Sequence, residues 1–205
     1  MGIVRKQSFY SSIFVYVSMF IGYINLIILM PYFFTPEEIG MTRSILTLAV
    51  AFAQLSELGT TSIIYRFFPI YKKNEAMDFL NIIVLIPLIG FALFLFIALV
   101  FKDCLFKSYF DASPELKQYI HLIFYLTFFT LISAIGTNFC VVHLKTVFPK
   151  AVNELIPKVG NTILILLFAK KTINFDQYFF WFCTLTTLTS IIIWIYIAQI
   201  GALNI

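Results

Sequence analysis

Long, unbroken apolar runs constrain this sequence more than any other feature. The six runs lie at about 8–34, 41–65, 79–101, 119–142, 151–169 and 178–200. Each is close to the ~20 residues that an α-helix needs to cross the hydrocarbon core of a bilayer. Because 61% of the residues are hydrophobic and only 12% are charged, a water-soluble domain would lack the polar surface to cover itself. The runs are continuous rather than alternating, so the sequence predicts an all-α membrane protein with six transmembrane helices in one unit over 1–205.

The second run carries polar side chains that a membrane helix holds only for a reason. On a continuous helix over 41–70, five of them share one stripe that extends about 40° to either side of Arg43, namely Arg43, Thr47, Gln54, Glu57 and Thr61. A charge at the centre of the bilayer costs ~2.5–3.5 kcal/mol on insertion scales. The shared stripe therefore predicts a water-accessible cavity in front of this helix. The alternative for each residue alone is that Arg43 lies at the interface and its side chain snorkels toward water, and that a neighbouring helix caps Glu57.

The fifth run is too short in its uncharged part to span a bilayer. The uncharged stretch 159–169 covers about 16 Å as a helix, roughly half the hydrocarbon thickness. A spanning helix must therefore start near residue 151, which draws Glu154, Pro157 and Lys158 toward the membrane. Glu154, Lys158 and Asn161 share one face of that helix, which is typical of segments that line transport sites. The alternative is a locally thinned bilayer with a snorkelling Lys158.

Two asparagines are secondary site candidates. Asn25 continues a small, mildly polar face of the first run that also contains Ser18 and Gly22 and permits close helix packing. Asn138 lies on a polar side of the fourth run.

The very short link TPEEIG after the first run predicts a tight antiparallel hairpin of the first two helices.

The distribution of Lys and Arg predicts the orientation. With both termini in the cytoplasm, eight cations lie inside, which are Arg5, Lys6, Arg66, Lys72, Lys73, Lys145, Lys150 and Lys158. Five lie outside, which are Lys102, Lys107, Lys117, Lys170 and Lys171, and Arg43 lies a turn within the membrane. This positive-inside bias places the loop 102–118 outside.

The sequence contains no pattern that indicates catalysis. It has no phosphate-binding loop, no nucleophile elbow and no zinc-protease signature, so we expect neither an enzyme nor a nucleotide-driven pump. Cys104, Cys140 and Cys183 fall in separate segments without metal-ligand spacing, and we expect no metal or other cofactor. No soluble domain is present that could bind nucleic acid.

Three stretches resemble the oligosaccharide flippases of the multidrug/oligosaccharidyl-lipid/polysaccharide (MOP) exporter superfamily. The first is the opening GIVRKQSFYSSIFVYVSMFIGYINLIILMPYFFTPEEIG, with a basic start and a Pro-Glu-Glu-x-Gly link. The second is SELGTTSIIYRFFPIYKK, in which a Leu-Gly turn leads into Arg-Phe-Phe-Pro. The third is HLKTVFPKAVNELIPKVGNTILILL, which is similar to the loop before the family's fifth helix.

The resemblance implies a transporter of lipid-linked oligosaccharide diphosphate in the bacterial inner membrane, serving cell-surface polysaccharide or O-antigen synthesis. Relatives pair two six-helix lobes around a cationic cavity, so Arg43 and Lys158 are implied to face such a cavity. This chain has the length of one lobe only. The resemblance therefore implies a fragment, a truncated reading frame, or a lobe that pairs with another lobe or with a second copy of itself.

Two other functions stay open at this stage. A cation-coupled multidrug exporter of the same superfamily would use Glu57 as its proton or sodium carboxylate, with aromatic walls for the substrate. A non-transporting membrane scaffold or remnant is compatible with the short length. Each candidate cation has an acidic residue on its own stripe, so the charges do not decide between these functions.

Overall fold

The computed structural model describes residues 3–71, 76–101, 106–107 and 114–199. Its α-helices are α1 (Ile3–Tyr23), α2 (Met30–Phe33), α3 (Pro36–Ser56), α4 (Thr60–Tyr71), α5 (Ala76–Val100), α6 (Ile120–Val142), α7 (Val147–Ala169) and α8 (Phe175–Gln199). A π-helical segment, Ile24–Leu29, joins α1 to α2, and a 3-10 helix, Pro114–Tyr119, precedes α6. Four residues used in the sequence analysis lie outside the described residues, namely Lys72, Lys73, Lys102 and Cys104.

Six helical stretches of the described residues are long and apolar enough to cross a membrane. They are Arg5–Phe33, Pro36–Ser56, Asn81–Val100, Leu116–Val142, Val147–Ala169 and Phe175–Gln199. The predicted fold class is confirmed: the chain is an all-α, multi-pass membrane protein.

The first span changes its helical type before it ends. The amide of Met30 donates to the carbonyl of Asn25, five residues back, instead of the usual four. Pro31 follows, and its missing N–H prevents the regular bonding ladder from continuing there. Phe34 is then extended, and Thr35 caps α3 through a reciprocal bond pair with Glu38. The chain thus turns between the first two spans over Phe34 and Thr35 alone.

The second run is not one helix, which corrects the prediction of a continuous helix over 41–70. Helix α3 ends at Ser56, and α4 begins only at Thr60. Between them, Leu58 and Gly59 adopt positive φ angles of 49° and 76°. Left-handed backbone cannot continue a right-handed helix, so α4 starts in a new direction.

Helix α6 lies at the centre of the bundle and has the most buried span. It packs along α3 and α8 and also contacts α4 and α5. Helix α1 packs along α7, which in turn packs along α8. The predicted hairpin of the first two helices is therefore wrong in its packing. Among the described residues, the first span touches α3 chiefly through the short α2, and the two helices diverge below that point.

Two apolar clusters fill the bundle, one toward each end of its helices. The first contains Ile45, Ile123 and Tyr178, at the end where α3, α6 and α8 begin. The second contains Ile64, Ile135 and Ile193, at the opposite end. The divergence of the first span from α3 leaves space beside the first cluster, and the candidate site lies there.

Candidate functional site

A cavity of about 210 Å³ opens between the first span, α3, α7 and α8. Its walls are mostly apolar, but six polar or charged residues line it, namely Asn25, Thr42, Arg43, Lys158, Asn161 and Tyr178. Four of these were site candidates in the sequence, and they come from three different helical segments. The structure thus brings Asn25 and Arg43 together with Lys158 and Asn161, which lie more than a hundred residues later in the chain.

Arg43 is the charged residue of this cavity that forms no ion pair with any described residue. Its side chain is exposed, and within the described part of the chain it makes no hydrogen bond or ion pair. It lies seven residues into α3, about 10 Å along the helix axis from Pro36. A guanidinium at this depth is stable only with water or an anionic ligand beside it.

Lys158 lines the same cavity, but its ammonium group is engaged. Nζ lies 2.6 Å from a Glu154 carboxylate oxygen, one helical turn away. It also donates to the Ser18 hydroxyl at 3.0 Å, and that hydroxyl donates to the same carboxylate oxygen at 2.8 Å. The stem of Lys158 crosses α1 over Gly22, with its Cδ 3.5 Å from where a side chain would begin. The absence of a side chain at Gly22 lets this lysine reach across to α1.

Asn25 connects the π-helical segment to α7. The side-chain amide donates to the Lys158 carbonyl at 2.8 Å, and its oxygen accepts from the Thr162 hydroxyl at 2.8 Å. Asn161 accepts from the Tyr178 hydroxyl on α8, also at 2.8 Å. Both asparagines therefore hold the cavity walls together, and their bonded atoms are not free for a ligand.

The exposed face of α3 continues from the cavity as a shallow groove. The groove has a volume of about 390 Å³ and is lined by Leu46, Thr47, Val50, Ala51 and Gln54. Leu46 also lines the cavity, so the two openings are contiguous. Of the predicted stripe, Arg43, Thr47 and Gln54 share this open side.

Glu57 and Thr61 leave that stripe, which corrects their predicted placement on it. The helix break lies between Gln54 and Thr61 and turns α4 toward α6. There the Glu57 carboxylate accepts from the Thr61 amide at 2.9 Å and from the Thr61 hydroxyl. Asn138 joins this group, since it donates to the Thr61 hydroxyl at 2.6 Å and accepts from Tyr65 at 2.9 Å. Glu57 therefore caps the start of α4, a helix that the sequence analysis did not predict.

The charged residues of the fifth run lie within α7, a helix that is long and apolar enough to span a membrane. It begins at Val147, four residues before the predicted start near 151, and continues through Pro157. Glu154 and Lys158 therefore lie inside a spanning helix, and Glu154 faces Ser18 of α1.

Sequence reasoning missed Thr162 and Tyr178 as parts of the site. Tyr178 is fully buried and closes the α8 side of the cavity. Its position at the start of an apolar run suggested only an end of the span. Thr162, one turn after Lys158, carried a local signal, because it extends the face that contains Glu154 and Lys158.

No protein-family model, curated protein or solved structure matches this chain. Its function must therefore be argued from the cavity and from the polar groups that line it.

Proposed function

We propose that this chain transports a lipid-linked oligosaccharide diphosphate across a bacterial inner membrane, as one lobe of a flippase. The observation that supports this proposal most strongly is Arg43, a guanidinium that lines a cavity between membrane spans and has no hydrogen-bond or ion-pair partner among the described residues. A guanidinium presents a planar set of donors that matches phosphate oxygens, and such charge-assisted bonds are strong where water is scarce. An anionic head group beside Arg43 would offset the cost of the charge at this depth.

The size and shape of the site fit a head group better than a whole ligand. A volume of about 210 Å³ is below the ~300–1,000 Å³ of pockets that enclose drug-sized molecules. The cavity would hold the diphosphate, while the attached sugars extend along the groove of α3, whose Thr47 and Gln54 offer hydrogen bonds. The prenyl chain would remain in the lipid.

The open face of α3 also supports a second lobe as partner. One side of this spanning helix exposes the polar residues Arg43, Thr47 and Gln54. Contact of these side chains with lipid would be energetically costly. We propose that a second six-helix bundle, from the same or another polypeptide, faces this side. Rocking of the two lobes around the cavity would then give alternating access.

The multidrug exporter receives less support from the geometry. That function needs Glu57 in the substrate cavity, but its carboxylate is bonded to Thr61 at the start of α4. The Glu154 carboxylate lies beside the cavity residue Lys158, but it is paired with that lysine.

Replacing Arg43 with alanine tests the proposal. We expect purified protein in detergent to bind farnesyl diphosphate at least about tenfold more tightly than the Arg43→Ala variant does, because one charge-assisted contact is worth about 1.5–3 kcal/mol. Arg43→Lys should retain part of the affinity, since the charge survives without the planar donor set. Binding is measured by isothermal titration calorimetry, with farnesol as the uncharged comparison ligand.

Arg66→Ala is the matched control, because Arg66 is an exposed arginine of α4 that does not line the cavity. It should bind farnesyl diphosphate as the wild type does. Equal affinity for farnesol and farnesyl diphosphate in the wild type, or no effect of Arg43→Ala, would refute the proposed site. Flipping of a fluorescent lipid-linked oligosaccharide in proteoliposomes that contain both lobes extends the test to transport.

The proposed orientation places both termini in the cytoplasm. Alkaline phosphatase fused after Asp111 should be active, because the positive-inside bias places the loop 102–118 outside. The same reporter fused at Ile205 should be inactive, and a green fluorescent protein fusion there should fluoresce. An inactive phosphatase after Asp111 would reverse the orientation.

A further inference from the structure

The second cation of the cavity is held by an internal anion. Lys158 and Glu154 lie 2.6 Å apart, and their side chains remain 33% and 31% exposed. The pair is thus partly exposed rather than sealed in the core, and its lysine lines the cavity. Ser18 bridges it from α1 by bonding to both partners. Lys158 therefore lines a site for an anion while it is bound to a carboxylate of its own helix.

Few other charges act on this pair. On α7, Lys150 lies one turn before Glu154 and is exposed. Across the cavity, α3 contributes Arg43 and α8 contributes the Tyr178 hydroxyl, which is bonded to Asn161. From α1, the group that contacts the pair is the uncharged Ser18. Glu154 is thus the anion that balances Lys158 among the described residues.

We propose that Glu154 competes with the bound anionic head group for Lys158 and takes up a proton when the head group captures this lysine. The proposal rests on the proposed function and adds a second residue and a proton to it. Without a ligand, the Glu154–Lys158 pair is neutral. When a phosphate oxygen replaces the carboxylate at Nζ, Glu154 is left as an unpaired charge at membrane depth, where such a charge is costly. A proton from bulk water then binds to the carboxylate and makes it neutral.

This competition sets the affinity of the cavity for its ligand. A neutral residue at 154 would leave Lys158 available without displacement of a partner. The wild type should bind the anion more weakly than such a variant, and its affinity should rise as the pH falls, since protonated Glu154 releases Lys158. The head group would then bind when Glu154 is protonated and leave when Glu154 is ionised, although the positions of the cations do not change.

The test compares wild type, Glu154→Gln and Ser18→Ala for binding of farnesyl diphosphate by calorimetry in two buffers of different ionisation enthalpy. Glu154→Gln should bind about tenfold more tightly, the gain expected when one charge-assisted contact no longer has a competitor. The wild type should take up as much as about one more proton per bound ligand than Glu154→Gln does. Ser18→Ala removes one of the two partners of Lys158 but keeps the carboxylate, so it should tighten binding by a smaller factor and retain the proton uptake.

Glu37→Gln is the matched control, because Glu37 is an exposed carboxylate in the first turn of α3 and has no hydrogen-bond or ion-pair partner among the described residues. It should change neither the affinity nor the proton count. Equal affinity and equal proton uptake in wild type and Glu154→Gln would overturn the inference. If Arg43→Ala still weakens binding in that case, the proposed function stands without this competition. If Arg43→Ala has no effect, the proposed function itself fails.

Thermal unfolding of each variant in the same detergent shows whether it is folded. If Glu154→Gln does not fold, Ser18→Ala decides the matter: unchanged or weaker binding by folded Ser18→Ala would contradict the competition.

Discussion

Lys158→Met is expected to lower the free energy of unfolding by about 2–3 kcal/mol. This is less than the cost of breaking a fully buried ion pair, because the side chains of Lys158 and Glu154 are each about one-third exposed. Methionine has a similar length and volume, so the packing of the stem over Gly22 survives. What is lost is the cation that balances Glu154 inside a spanning helix. The Ser18 hydroxyl still donates to the carboxylate, which limits the loss. Unfolding in mild detergent, driven by added dodecyl sulfate and followed by circular dichroism, measures the difference.

Two further variants separate charge from packing in this experiment. Lys150→Met, eight residues earlier on the same helix, removes an exposed lysine that has no ion pair in the described structure, and it should change stability by less than about 0.5 kcal/mol. The double variant Glu154→Gln/Lys158→Met removes both charges and should recover most of the loss. A double variant as unstable as Lys158→Met alone would mean that the lysine stabilises the bundle through its stem rather than through its charge.

Gly90→Ala should destabilise the bundle by about 1–3 kcal/mol, which is the usual cost of overpacking. Gly90 is buried on α5 and lies against the end of α3. A methyl group at this position would overlap the backbone carbonyl of Ser56 and come within 2.9 Å of the Leu58 side chain. Backbone cannot rotate away as a flexible side chain can, so α3 and α5 would have to separate. Thermal unfolding in detergent detects the loss as a lower midpoint.

Gly40→Ala is the control for the change from glycine to alanine in a helix. Gly40 lies inside α3, and apart from its chain neighbours and the local backbone of α3 no heavy atom lies within 4 Å of an added methyl group. Alanine should stabilise this position by about 0.5–1 kcal/mol, because it loses less backbone entropy than glycine. Adding Leu58→Ala to Gly90→Ala should restore only part of the stability, since the carbonyl of Ser56 remains. Equal effects of Gly90→Ala and Gly40→Ala would show that α3 and α5 do not approach so closely.

The membrane spans could be predicted from the sequence because they depend on local properties. Hydropathy summed over some twenty residues identifies a span whatever its neighbours are. The start of α3 at Pro36, five residues before the predicted 41, also depends on local residues, because Thr35 and Glu38 of the predicted link form its cap. The pairing of Glu154 with Lys158 follows from a spacing of four residues on one helix.

The helix break at Leu58 and Gly59 could not be predicted from the same pattern. A Leu-Gly pair within an apolar run is compatible with a continuous helix at a cost of about 1 kcal/mol. The break becomes favourable through contacts distant in sequence, where Leu58 packs on Gly90 of α5 and Asn138 of α6 bonds to Thr61. Because the sequence analysis assumed a continuous helix, it wrongly placed Glu57 and Thr61 on the same face as Arg43.

The sequence by itself determined the class of this protein, its number of membrane spans, and the presence of charged side chains within them, because the cost of moving a residue from water to lipid belongs to that residue alone. Only the tertiary structure decided which of those charges meet. Arg43 and Lys158 line one cavity because the first span packs on α7 and diverges from α3, and Asn25 bonds to α7 for the same reason. Helix partners in a membrane are chosen by close packing and interhelical hydrogen bonds between distant segments, which hydropathy does not record.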